Sequence, residues 1–157
     1  MKLRLVCVGR LSQTFISQGC DDYLQRLKRY LPVEVVELKE DRSASKVLPE
    51  RVREREGDAL LAQVRLPGTV WALDEKGRQT DSEGLARLIE QEMTAGCRHL
   101  NILIGGAWGL SPRVQDRADR VLSLSKLTFT HQMARLIALE QLYRGLTIIR
   151  NEPYHNA

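Results

Sequence analysis

At 157 residues the chain is long enough to bury a substantial hydrophobic core within one domain. Its 43% hydrophobic and 28% charged residues exclude a disordered chain, and no apolar run approaches the roughly 18 residues of a membrane span. A formal net charge of +4, from 24 Lys+Arg against 20 Asp+Glu, permits a nucleic-acid partner without requiring one.

The N-terminus mixes charge into a short apolar run, Leu3 to Val8. This reads as a first β-strand rather than a secretory leader, and points to a cytoplasmic protein. Phe15 to Leu31 places Phe15, Ile16, Cys20, Tyr23, Leu24, Leu27 and Leu31 at helical spacing, and Pro32 ends that helix. Val33 to Leu38 alternates apolar and acidic residues, as a half-buried strand does. Lys39 to Lys46 is a polar loop, either solvated or touching phosphate. Pro49 opens a charged helix reaching about Val64, broken by Pro67-Gly68. Thr69 to Leu73 is a third strand, followed by the turn Asp74 to Gly77.

Asp81 or Ser82 caps a helix that stops at Gly96, and Leu100 to Ile104 is a fourth strand. Ser111-Pro112 starts a short helix, Val121 to Ser125 is a fifth strand, and His131 to Ile149 is the last helix before the tail. Strict β/α alternation predicts an α/β fold: a parallel-type sheet with helices on both faces. Ligands in such sheets sit at the carboxyl ends of strands, which singles out Leu73-Asp74, Gly105-Gly106 and Ser125 to Phe129.

Three scattered cysteines, Cys7, Cys20 and Cys97, form neither a CxxC pair nor a zinc-spaced cluster, so no metal is expected. Gly105-Gly106-Ala107-Trp108-Gly109 is neither a dinucleotide fingerprint nor a phosphate loop. Adjacent glycines at a strand end serve either tight backbone passage or close approach of a ligand. Trp108 packs over this loop, or stacks on a base or on a neighbouring subunit. His131 and Arg135 share a helix face, and Glu140 precedes Arg144 by four residues, the favourable order for an ion pair. No GxSxG elbow supports a serine hydrolase, and Val8 to Ser12 lacks the glycine pattern of a nicotinamide-binding turn. Tyr154 and His155 stand in a short tail that is either unsupported or docked through Pro153 and Tyr154.

The runs IGGAWGLS and LSLSKLTFTHQMARLIALEQLYRG, with the ending NEPYH, resemble the ribosomal large subunit methyltransferase H family of the SPOUT superfamily. The opening KLRLVCVGR and the stretch WALDEKGRQTDSEGLA agree, so the resemblance covers essentially the whole chain. Thr130 stands where many relatives carry proline, and Trp108 where many carry a polar residue. The resemblance implies a single SPOUT-type domain over 1–157. The C-terminal trefoil knot and an S-adenosyl-L-methionine site would lie within about 70–157. The implied cofactor-binding residues are Leu73, Gly105, Leu124, Ser125, Lys126, Leu127, Thr128 and Phe129.

The implied reaction is methylation of N3 of pseudouridine 1915 in 23S rRNA of the assembled ribosome, by a homodimer whose active site crosses the interface. That chemistry requires removal of the N3 proton. His155 is the expected base, because an unperturbed imidazole titrates at about 6.5. Tyr154 would stack on or hydrogen-bond the target base, and Arg144 would hold phosphate or steady the developing imide anion. Two other readings follow from the same sequence: a SPOUT methyltransferase acting on another RNA such as transfer RNA, and a noncatalytic ribosome-binding module.

Overall fold

The computed structural model describes residues 1–41, 43 and 47–154. Ten elements follow one another: β1 (Lys2–Val8), α1 (Thr14–Leu27), β2 (Val33–Leu38), α2 (Pro49–Ala62), β3 (Gly68–Gln79), α3 (Ser82–Thr94), β4 (His99–Ile104), α4 (Pro112–Arg117), β5 (Arg120–Ser123) and α5 (His131–Ile149). The strands form one sheet in the order β2-β1-β4-β3-β5, with every neighbouring pair parallel. The expected α/β class is the observed one.

A buried parallel sheet needs cover on both faces because side chains alternate across it. Leu3, Leu5 and Cys7 of β1 join Trp71, Leu100 and Ile102 in the core under α1, α3 and α5. Val6 and Val8 join Val70, Ala72 and Leu103 in the core under α2 and α4. Glycines set two helix approaches: a Cβ on Gly19 would stand 2.9 Å from Leu136, and one on Gly145 would stand 2.9 Å from Ile89. Helix α5 therefore lies close between α1 and α3.

The caps follow local chemistry. Asp81 accepts from the Gly84 N–H at 2.6 Å, Ser111 from Val114 at 3.4 Å, and Thr130 from Met133 at 3.3 Å. Helix α1 ends at Leu27 rather than Leu31, because the chain tightens into 3₁₀-type bonding before Pro32 (Tyr30 N–H to Leu27 C=O, 2.9 Å). Strand β5 ends at Ser123 rather than Ser125, because the Ser123 hydroxyl donates to the Ser125 carbonyl at 2.8 Å and bends the chain away.

Strand β3 is longer than expected. The turn Asp74 to Gly77 is a bulge inside it: Leu73 pairs with Leu122, the register then shifts, and Arg78 pairs with Leu122 again. Gly77 permits this, since a Cβ there would lie 2.6 Å from the Leu122 backbone.

At the amino end of the sheet, Asn101 is fully buried and joins several segments. Its carbonyl oxygen accepts from Arg4 and from the Arg65 N–H, each at 3.0 Å, and its amide donates to the Arg65 and Thr69 carbonyls. Arg4, itself buried, also donates to the Gln63 carbonyl and pairs with Glu34. This polar clamp closes one end of the sheet and leaves the carboxyl end for function. All three cysteines are free thiols. Burial pushes Cys7 up to about 12 and Cys20 up to about 11, so both stay protonated near neutrality.

Candidate active site

From β3 the chain crosses to α3 on one face of the sheet, and from β4 to α4 on the other. Loops that diverge in this way open a crevice at the carboxyl ends of the two strands. A cavity of about 350 Å³ occupies it. Leu73, Gly105, Leu124, Ser125, Leu127, Thr128 and Phe129 line it together, and Lys126 alone of the eight expected cofactor residues is not among the lining residues.

Each wall has a local cause. Leu73 is the last paired residue before the β3 bulge, so the bulge carries Asp74 and Glu75 to the cavity. Asp74 accepts from the Gln115 side chain at 3.0 Å, and Glu75 from the Thr128 hydroxyl at 3.0 Å, which ties the bulge to α4 and to the loop after β5. That loop is held by Ser125, whose hydroxyl accepts from the Leu127 N–H at 2.9 Å. The glycine loop doubles back on itself. Gly106 bridges Gly109, Gly109 has φ +76°, and a Cβ on Gly105 would stand 2.7 Å from the Gly109 backbone. Tight backbone passage therefore accounts for glycine at position 105.

Behind the glycine loop lies Glu56 of α2. Its Oε1 accepts from the Asp41 N–H at 3.0 Å, and its Oε2 is buried without a partner. Burial is the main cause that raises its pKa above the usual carboxyl value. A Cβ on Gly106 would stand 2.8 Å from that Oε2.

Helix α5 begins at the cavity. His131 lines it, with Nε2 3.5 Å from Glu40. One turn on, buried Arg135 donates to the Gly9 carbonyl at 2.6 Å and pairs with Glu37. The face shared by His131 and Arg135 thus anchors α5 to the ends of β1 and β2. Sequence spacing singles out neither Arg135 for this anchoring nor Glu56 for its place behind Gly106, because the groups they meet come from other elements.

The tail docks at the other end of α5. Asn151 adopts φ 55°, its N–H reaches the Ile148 carbonyl at 3.0 Å, and the Glu152 N–H reaches Thr147 at 2.9 Å. This pair of bonds around a left-handed residue is a Schellman closure, with asparagine in glycine's usual place. It folds the tail back along the helix. Tyr154 then meets Tyr143 edge-on at 4.7 Å, and its hydroxyl lies 3.2 Å from that of Tyr23 and 3.3 Å from Glu140. Arg144 binds Glu140 at 2.7 Å, and this pair is largely covered rather than solvated. Arg144 and Tyr154 are therefore brought together, but neither lines the cavity. His155 lies outside the described residues, as do positions 42 and 44–46 of the loop that spans Lys39 to Lys46.

Among the described residues no group of three His, Cys, Asp or Glu is placed to hold a metal, and no helix is long and apolar enough to cross a membrane.

Comparison with known proteins gives this geometry a family. A sequence profile described as "Predicted SPOUT methyltransferase" matches residues 1–155. The chain is 53% identical over 156 residues to the ribosomal RNA large subunit methyltransferase H of Syntrophotalea carbinolica, covering 99% of each protein. It is 45% identical over 158 residues to the protein of that name from Halothermothrix orenii, again covering 99% of each. It is 44% identical to the one from Trichlorobacter lovleyi, covering 99% of this chain and 100% of that protein. With its parallel sheet and its cavity at the ends of β3, β4 and β5, the chain belongs to the SPOUT methyltransferase family.

Proposed function

We propose that this chain transfers a methyl group from S-adenosyl-L-methionine to N3 of a pseudouridine in 23S rRNA, at position 1915 of the assembled ribosome. The observation that carries this reading is the meeting of seven of the eight expected cofactor residues on one cavity. Its walls suit the cofactor. Leu73, Leu124 and Phe129 can enclose a flat heterocycle, Ser125 and Thr128 offer hydroxyls, and the glycine loop brings bare backbone close. When bound, the cofactor supplies an activated methyl group and a neutral thioether as leaving group. The protein's share is to position the base and take its proton. His155 is the acceptor of the N3 proton, Tyr154 orients the base, and Arg144 steadies the negative charge that develops on the imide.

The placement of these residues supports a homodimer. Arg144 stands thirteen positions after His131, about 20 Å farther along α5. A protomer's own Tyr154 and Arg144 are thus held away from its own cavity, and the partner's tail completes the site. The chain acts in this reading as one cytoplasmic domain, with the knot and cofactor site within about 70–157. Among the described residues that line the cavity, only Arg53 falls before that stretch.

Methyl transfer from labelled S-adenosylmethionine to ribosomes and subunits lacking the modification tests the reading, with the product nucleotide mapped by mass spectrometry. Label on one pseudouridine of assembled ribosomes is the expected result. Label on transfer RNA instead, or cofactor binding without transfer, overturns it. Mixing an Arg144→Ala chain with a Gly105→Val chain tests the shared site. In a two-fold dimer, heterodimers carry one intact site, which restores roughly a quarter of wild-type activity. A site confined to one protomer gives no restoration.

A further inference from the structure

Arg53 is the one cavity-lining residue contributed by α2. It lies three residues before Glu56, on the helix face that meets the glycine loop at Gly106. Its Nε is buried without a partner, and its side chain has no hydrogen bond or ion pair among the described residues. Glu56 does not neutralise it, since one Glu56 oxygen takes the Asp41 N–H and the other is unpartnered. Lys76, on the β3 bulge, also lines the cavity without a side-chain partner among the described residues. The acids there, Asp74 and Glu75, are engaged by the neutral donors Gln115 and Thr128. Trp108 stands on the same rim with 48% of its surface exposed.

An unpaired guanidinium and an exposed indole on one cavity are an arrangement suited to nucleic acid: a cation for phosphate and a flat apolar face for a base. A cofactor enclosed by the three loops leaves this tryptophan exposed on the cavity that the target base has to enter. Resting on the methyltransferase reading above, we propose that Arg53 and Trp108 form an RNA-binding wall of the cavity. Arg53 holds a backbone phosphate next to the target nucleotide, and Trp108 stacks on an adjacent base.

The test compares Arg53→Gln, Arg53→Lys and Trp108→Ala in the full chain. It measures cofactor affinity by calorimetry, ribosome affinity by sedimentation across a salt series, and methyl transfer. The expected result for Arg53→Gln is about tenfold weaker ribosome binding and a correspondingly higher KM. Its cofactor affinity stays within about twofold, and its salt dependence is shallower by about one phosphate contact. Arg53→Lys recovers the salt slope but not all of the affinity. Trp108→Ala weakens ribosome binding by about tenfold with the salt slope intact.

Weaker cofactor binding with unchanged ribosome affinity overturns the proposal and assigns Arg53 to the cofactor's carboxylate. Unchanged constants in all three variants also overturn it, leaving a solvated arginine. Because ribosome binding is read without turnover, an inactive wild type would count against the methyltransferase reading alone. Unchanged thermal stability of the variants excludes loss of fold as the cause.

Discussion

Arg144 lies over the ring of Tyr154, its guanidinium carbon 4.8 Å from the ring centroid, and both residues bind the same oxygen of Glu140. Burial, and then hydrogen bonding with Tyr23 and Glu140, raises the Tyr154 hydroxyl well above the usual tyrosine range. At neutral pH Tyr154 is therefore a protonated phenol that donates a hydrogen bond to Glu140. Glu140→Gln removes the charge that holds Arg144 and Tyr154 together. We expect kcat to fall by about tenfold or more, with cofactor affinity nearly unchanged, because electrostatic positioning of this kind acts on the transition state. Steady-state kinetics with calorimetry checks this, and an equal loss in cofactor binding would refute it.

The fold-back of the tail depends on Asn151 in the left-handed region. Asn151→Ala should cost about 1 kcal/mol of stability, whereas Asn151→Gly should be neutral or slightly stabilising. Urea denaturation distinguishes the two. If alanine and glycine behave alike, the left-handed closure contributes nothing measurable.

Gly105 and Gly109 require glycine for different reasons. A Cβ at Gly105 meets the Gly109 backbone at 2.7 Å, while Gly109 has open space but φ +76°. Gly105→Ala should therefore deform the loop and weaken cofactor binding by at least about tenfold. Gly109→Ala should mainly cost about 1–2 kcal/mol of stability. Calorimetry and thermal melting on each variant separate these effects.

Glu34 is held by hydrogen bonds from Arg4 and Lys2, which lower its pKa from 4.5 to about 2. A depressed carboxylate stabilises the fold above its unfolded pKa and loses that contribution as pH falls through the folded value. The wild type should lose stability between about pH 4.5 and 2, and Glu34→Gln should flatten that part of the profile. Identical acid profiles for the two chains would exclude this linkage.

Asn101 satisfies polar groups from β1, the loop before β3 and β3 itself. Asn101→Ala leaves those groups buried without partners and should cost about 3 kcal/mol or more. A loss under about 1 kcal/mol in urea denaturation would mean that water replaces the amide.

Hydrophobic periodicity with cap and breaker residues places five strands and five helices, because each element must bury one face and its pattern is local, and their strict alternation assigns the parallel class. Pro49, Ser111-Pro112 and the Asp81 cap were legible for the same reason. The turn chemistry of Asp74 to Gly77 was also legible, but the return of β3 to pair a second time with Leu122 was not. That return depends on Gly77 lying against a backbone 45 positions away.

Strand-end logic pointed to Leu73, Gly105 and the loop after β5, and the family resemblance named the individual residues. Only the tertiary structure gathered seven of the eight around one cavity and left Lys126 outside it. It also placed Arg53 on that cavity, which no spacing within α2 could indicate, and it fixed Tyr154 and Arg144 at the far end of α5. Local side-chain patterns encode which face of an element is buried. Which elements meet at a strand end is decided by sheet order and by close approaches between residues far apart in the chain.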